Sequence, residues 1–414
     1  MKADAGQSAG GGWRSARSAG VATLLLAQAL VSIAASDDRS SVLPEDKPAG
    51  SGVPHAQDVT PTDPNASPPP TAAGVGPRLG PAADEARRAA LEGALDWLAK
   101  SQAESADGSW PDDDARLRAP EAVAALCSLA LMAGGSTPER GPHGAAVARG
   151  TDYLLGRIHL DPGADERGFI GSLEASDSRM HGHGLATLAL AEAFSTSPTS
   201  RRGQRLLEAL QLAVGLIERT QGAEGGWWYE PHRVASHEGS VTITLVQALR
   251  SARNTGIAVD AGVITRAEDY VLRSQAPDGS FRYTLGSPVT TVALTGAAIS
   301  TLNAAGRYDD EVVRRGVDAI WRGLESRELE GSSERPPHPY YERFYLSQAF
   351  WNLADPTHFE KWYERELERV LSRQADDGSW SGEEQGSGYG AAYATSINAL
   401  FLALPDGLLP IFQR

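Results

Sequence analysis

The chain is short of sulfur and of positive charge. It has one cysteine, Cys127, in 414 residues, so no internal disulfide forms and no cysteine cluster holds metal. Cys127 lies in the run AVAALCSLALM, where a thiol packs as a small hydrophobe. Lys and Arg number 38 against 53 Asp and Glu, a net charge of -15. That balance argues against nucleic acid and anionic membrane surfaces as partners. No Gly-x-Ser-x-Gly elbow and no phosphate-binding glycine loop with lysine is present. Long apolar runs are scarce too. VATLLLAQALVSIAA (21–35) falls short of the roughly 20 residues of a spanning helix. Lys2, Arg14 and Arg17 precede it and small residues follow, so 1–36 reads as a signal peptide or N-terminal anchor. The expected location is therefore exported: periplasmic, secreted, or held at a membrane through that segment alone. Residues 37–83 are rich in Pro, Gly, Ser and Ala, around SPPPTAAG, and read as a disordered linker. The folded part is expected over 84–414.

What is present is a repeat. SQAESADGSW (101–110), TQGAEGGW (220–227), SQAPDGSF (274–281) and RQADDGSW (373–380) each join a Gln to a Gly and an aromatic residue. Their spacing fits two, one and two periods of roughly 50–60 residues, the mark of stacked supersecondary units. Two weaker copies fill the gaps, GTDYLLGRIHLDPGADERGF (150–169) and GVDAIWRGLESRELEG (316–331), which makes six. In each unit an amphipathic, charged segment precedes the turn and a nearly uncharged one follows it. FEKWYERELERVLSRQ and YGAAYATSINALFLAL show the contrast. A helix apolar all round must be covered on most sides. The reading is all-α: an (α/α)6 toroid of six hairpins, with uncharged inner helices, amphipathic outer helices, short turns and a central cavity. An open solenoid has the same local grammar. The Gly ends the outer helix or takes a positive φ. Asp or Ser beside it caps the backbone, and the aromatic ring covers the turn and meets the Gln. Gln102, Trp110, Gln221, Trp227, Gln275, Phe281, Gln374 and Trp380 are thus structural. Trp228 and Tyr229 cover the third turn, Trp228 being surplus to the repeat.

These stretches resemble the QW repeats of terpenoid cyclases and protein prenyltransferases, from about residue 84 onward. MHGHGLATLALAEAF (180–194), GGWWYEP (225–231), YYERFYLSQAFWN (340–352) and LPIFQR (409–414) resemble, more narrowly, the exported prenyltransferase/squalene-oxidase-repeat proteins of planctomycete bacteria. The resemblance implies a cavity for isoprenoid chains and, for an enzyme, cyclase- or prenyltransferase-like chemistry. The chain departs from both patterns. The Asp-x-Asp-Asp acid of squalene-hopene-type cyclases is missing, since Asp112, Asp113 and Asp114 fall in a turn. The Asp/Cys/His zinc site of prenyltransferases is missing too, since Cys127 sits inside a helix. No cofactor is expected.

The starts of the inner helices should surround one mouth, where free N–H groups favour anions. His181, His183, His237, Glu238, Tyr340, Tyr341, Tyr345, Tyr389 and Tyr393 fall there and are the candidate rim of a binding cavity. His181, His183 and His237, with Glu238, are weak metal candidates against a plain capping role; no metal is expected. Three functions compete. The favoured one binds a hydrophobic isoprenoid or lipid-like molecule in the central cavity. A carbohydrate-active (α/α)6 enzyme would need two carboxyls across the mouth, Glu238 and Glu342, with Asp113 as a further candidate. An envelope scaffold would bind a partner protein through its rim, at the end of the tether.

Overall fold

The computed structural model describes residues 79–111, 115–174, 176–329, 336, 338–382 and 388–409. The signal-like segment, residues 37–78 of the linker, Asp113 and the turn after the fifth outer helix lie outside them. Twelve α-helices are described: α1 (Pro81–Ala103), α2 (Pro120–Ala133), α3 (Gly144–Gly156), α4 (Arg179–Thr196), α5 (Arg201–Thr220), α6 (Gly239–Asn254), α7 (Ala261–Arg273), α8 (Val292–Ala304), α9 (Glu311–Leu329), α10 (Pro339–Trp351), α11 (Thr357–Leu371) and α12 (Gly390–Ala403). The first helix starts three residues before the expected boundary, because Pro81 fits the first turn of a helix. Among the described residues no strand forms, only isolated bridges.

The even-numbered helices make the inner wall. α2 packs on α4, α4 on α6, α6 on α8, α8 on α10, α10 on α12, and α12 returns to α2. The ring is closed, not an open solenoid. α8 is buried from Ala293 to Asn303, whereas outer α7 buries only Val263, Ile264, Ala267, Tyr270 and Val271, one stripe of a helix. The inner wall is not free of charge, however. Glu121, Glu192, Glu342 and Arg343 are buried on inner helices. Glu121 and Glu342 turn outward to pair with Arg157 and Arg327, and Arg343 pairs with Glu366 of α11. The connections are unequal as well. Short links such as 197–200 and 255–260 lead from inner to outer helices, while long segments such as 104–119 and 221–238 lead from outer to inner.

Those long segments begin with the repeated turn, and its chemistry is the same four times. Gln221 donates through Nε2 to Gly225 O of its own turn at 2.8 Å and to Val263 O in the first turn of α7 at 2.9 Å. Gln102 bonds Gly108 O and Ala146 O of α3, Gln275 bonds Gly279 O and Val312 O of α9, and Gln374 bonds Gly378 O and Ala90 O of α1. Each Gln therefore ties one outer helix to the next. The last tie, α11 to α1, closes the outer ring. The turn glycine is obligatory on two counts. Gly225 has φ 91°, and a Cβ there would lie 2.2 Å from Arg266 O of the next outer helix. The aromatic ring is fixed by a bond of its own to the outer helix. Trp110, Trp227 and Trp380 donate from Nε1 to the carbonyls of Leu98, Ile217 and Val370, the residues four before each Gln. Phe281 fills the same place by packing alone. In the weak second copy Gly168 keeps the positive φ, Ile170 takes the aromatic position and Phe169 precedes it.

The first and last helical segments of the toroid are clasped together. Arg87, 1% exposed, bonds Asp84, Leu402 O and both carboxylate oxygens of Asp406. Burial of a guanidinium is tolerated here because its donors find acceptors.

Two outcomes follow for the turns. Gln221→Ala strips donors from two carbonyls and should cost about 2–3 kcal/mol in denaturant unfolding. Gly225→Ala should cost more than about 1 kcal/mol; a change within error in either would contradict the tie. Asp107, Asp278 and Asp377 accept bonds from Ser109, Ser280 and Ser379, which hold their carboxyls below the usual range. Between the folded and the ordinary value the unfolded chain binds more protons, so stability rises with pH in that window. Melting temperature should fall as pH drops below about 4, and replacing the three serines with alanine should flatten that slope.

Candidate functional site

The inner helices run parallel, so their amino ends meet at one mouth. Bonds between equal depths show it: Thr244, in the second turn of α6, meets Tyr345 OH, in the second turn of α10, at 2.8 Å. Thr244 also lies 3.1 Å from His181 Nε2 of α4. His181 in turn faces Tyr341 of α10 with ring centroids 6.1 Å apart, spanning the ring from one side to the other. One turn deeper, Gln247 of α6 donates to Ser300 of α8 and to Gln348 of α10. A side chain on the wall of an open shaft keeps exposed surface. Thr244 and Tyr345 keep 0%, Gln247 4%, and Ser300 and Gln348 2%. The expected deep cavity is thus filled by side chains at these two levels, and polar inner residues satisfy one another across it.

Above this floor the mouth is a shallow bowl of phenols. Tyr341, Tyr389, Tyr393 and His181 are half-buried near the amino ends of their helices. Tyr229 and Tyr283 join them from the long connections, with their hydroxyls 2.9 Å apart. Tyr341 packs beside Tyr345 with the rings tilted by 60° and their centroids 4.7 Å apart. The Tyr341 hydroxyl oxygen is buried and has no hydrogen-bond partner among the described residues. Tyr340 is a correction. It is 2% exposed and its hydroxyl donates to Ser381 O, so it supports Tyr393 rather than lining the bowl. Trp228 packs edge-on against Tyr229 at 5.3 Å.

The histidines do not converge. His181 Nε2 meets Thr244, and burial pushes its pKa down to about 4, so it is neutral at the mouth. His237 Nδ1 meets Tyr270 OH. His183 Nδ1 accepts from Ile170 N at 3.1 Å. That is the role Thr242, Thr295 and Thr395 play toward Trp227 N, Phe281 N and Trp380 N. His183 is therefore the turn cap of the weak second copy, with a pKa pushed down by burial to about 3. Among the described residues no group of three or more His, Cys, Asp or Glu stands ready for a metal.

The carboxyl pair is not formed either. Glu238, 0% exposed, is the N-cap of α6 and accepts from Ser240 N, Ser240 Oγ and Val241 N. Burial pushes its pKa up to about 7, while those three donors favour the carboxylate. Glu342 points to the outer wall, bonded to Arg327 at 2.9 Å, and burial raises its pKa against the pull of that arginine. The two carboxyls do not face one another across the mouth.

The residues missed were Tyr229 and Tyr283. Both stand two places after the repeated aromatic, Trp227 and Phe281, but the same place after Trp110 and Trp380 holds Asp112 and Gly382, so the offset alone does not mark them.

Solved toroids match most of the chain. A type II terpene cyclase from Scytonema, in complex with geranylgeranyl dihydroxybenzoate, aligns with TM-score 0.53 at 16% identity, over 80% of this chain and 100% of that one. A glycosidase in complex with glucose aligns with TM-score 0.52 at 15% identity, over 80% and 100%. A GH76 α-mannanase from Bacteroides thetaiotaomicron aligns with TM-score 0.52 at 10% identity, over 77% and 94%. No family model and no curated protein matches. The likeness is one of fold: the chain is an α/α toroid, an architecture found in terpene cyclases and in glycosidases.

Proposed function

We propose that this is an exported toroid that binds an isoprenoid or lipid-like molecule at its tyrosine-lined mouth, with no reaction assigned. The observation that carries this reading is the bowl itself. Aromatic surface stays exposed above a floor closed by Thr244 and Tyr345, and half-buried Leu117, Leu173, Leu285 and Trp228 stand on the connections around it. Flat ring surface and aliphatic rim suit a ligand with an apolar chain and a compact head. The closed shaft changes where such a ligand sits: its head enters the bowl and its chain lies over the rim. Further support comes from the Gln-Gly-aromatic turns, which resemble those of terpenoid-cyclase toroids. The carbohydrate reading has lost the carboxyl pair it required, since Glu238 is a helix cap and Glu342 is tied to the outer wall.

Solvent extraction of natively purified protein, followed by mass spectrometry, should recover an isoprenoid or lipid near one per chain. Geranylgeraniol should quench the intrinsic fluorescence saturably, and Tyr341→Ala should weaken it about tenfold, the loss of one ring contact of about 1.4 kcal/mol. Protein that yields no such molecule and shows no saturable quenching would end this reading.

A further inference from the structure

The polar ladder of the lumen does not stop at Gln247. Further from the tyrosines stand Glu192 of α4, Ser251 of α6, Asn303 of α8 and Asn352, the residue that caps α10. Each continues the lumen-facing stripe of its helix: Glu192 follows His181, Ser251 follows Gln247, Asn303 follows Ser300 and Asn352 follows Gln348, all at helical spacing. Ser251 Oγ donates to Glu192 Oε1 at 2.8 Å. Asn303 Nδ2 donates to Ala349 O of α10 at 3.0 Å, and Asn352 Nδ2 to Gln348 O at 3.0 Å. Gln247 joins them through its 2.9 Å bond to Gln348 Oε1. These contacts draw four inner helices together at their carboxyl ends.

What they leave over is all of one kind. Glu192 Oε2, Gln247 Oε1, Asn303 Oδ1 and Asn352 Oδ1 are buried with no hydrogen-bond partner among the described residues. Their residues are 3%, 4%, 1% and 9% exposed. The amides cannot be turned round, because each nitrogen faces an oxygen that must accept. Ala349 O and Gln348 O are backbone carbonyls. Gln348 Oε1 faces Gln247 because its own Nε2 bonds Phe344 O. Four buried acceptors without a donor are costly, and one cation meets them all. The carboxyl ends of parallel helices favour positive charge as well. Arg250, the chain neighbour of Ser251, does not supply it: its guanidinium reaches outward to Glu268 of α7 and to Ala304 O.

We propose that this set binds one monovalent metal cation, sodium or potassium, through Glu192 Oε2 and the amide oxygens of Gln247, Asn303 and Asn352. Carboxylate and amide oxygens suit hard cations. One carboxylate balances one positive charge, whereas a divalent ion would leave a buried charge over. The site lies at the other end of the lumen from the tyrosine bowl and stands whether or not a ligand binds there. It ties α4, α6, α8 and α10 to one another where the side chains alone leave oxygens unmet.

Burial pushes the Glu192 carboxyl up to about 7, so the test belongs at about pH 8, where most of it is ionised. The intact chain is melted at constant ionic strength in sodium, potassium or choline chloride. One of the metal ions should raise the melting temperature saturably, by about 3 °C or more over choline. Calcium at matched ionic strength should add nothing. Glu192→Gln keeps an acceptor for Ser251 and should melt alike in all four salts. Asn352→Asp adds a second carboxylate and should make calcium stabilising. Equal melting of the unsubstituted chain in sodium, potassium and choline would overturn the site, leaving water or a proton on Glu192 to meet those oxygens. A metal-ion effect that survives Glu192→Gln would overturn it too. Calcium stabilising the unsubstituted chain more than sodium or potassium would overturn the monovalent ion.

Discussion

The structure depends on one repeated side-chain bond. A Gln at the end of an outer helix donates to the Gly carbonyl of its own turn and to a carbonyl of the next outer helix, in its first turn for Gln102, Gln221 and Gln275 and in the third turn of α1 for Gln374. The helix carbonyl already accepts a bond within its own helix and takes the Gln amide on its second lone pair, while the turn carbonyl of the Gly is buried and gains its donor from the Gln. Because it always reaches forward to the next helix, it sets the same step between neighbours each time. Repeated steps of one sense bend a row of hairpins round. The reach from Gln374 to Ala90 O, helped by the Arg87 clasp, joins the last outer helix to the first. The turn glycine lets two backbones touch where any side chain would collide.

The closed ring then dictates what the centre can be. Six inner helices must pack on their neighbours, and small residues permit that approach. Gly184 sits against Thr244 and Leu245, and Gly296 against Leu346. The lumen left between them is narrow enough for polar side chains to reach across. Gln247, Ser300 and Gln348 do so at one level, and His181, Thr244 and Tyr345 at the next. Only the first turn stays open, where the tyrosines gather. The site is therefore a consequence of closure, with its depth set by which inner positions carry long side chains.

Much of the fold was legible because the repeat is written in residues with few substitutes. A Gly at positive φ, a Gln with two carbonyls to satisfy and a buried Trp leave recurring letters. The second copy was harder to read because its turn uses Ile170 and His183 in place of an aromatic residue and a threonine. That substitution also made His183 look like part of a metal motif, when its nitrogen serves a backbone N–H. Glu238 carried the same ambiguity, and capping is what the structure shows. The filled lumen was not legible. Gln247, Gln348 and Tyr345 read alike whether they line a channel or bridge it, since the sequence pattern places them on a face and says nothing of the distance across. Tyr229 and Tyr283 were hidden by their loops, where no periodicity applies.

The central claim is that ligand is held above a closed floor. A series of isoprenols from one to four isoprene units tests it most directly, by calorimetric Kd. A chain lying over the rim predicts that affinity levels off after about two units. Each further buried CH₂ is worth about 0.8 kcal/mol, so a chain threading the lumen would instead gain severalfold or more with every added unit. Affinity that keeps rising through the fourth unit would contradict the account.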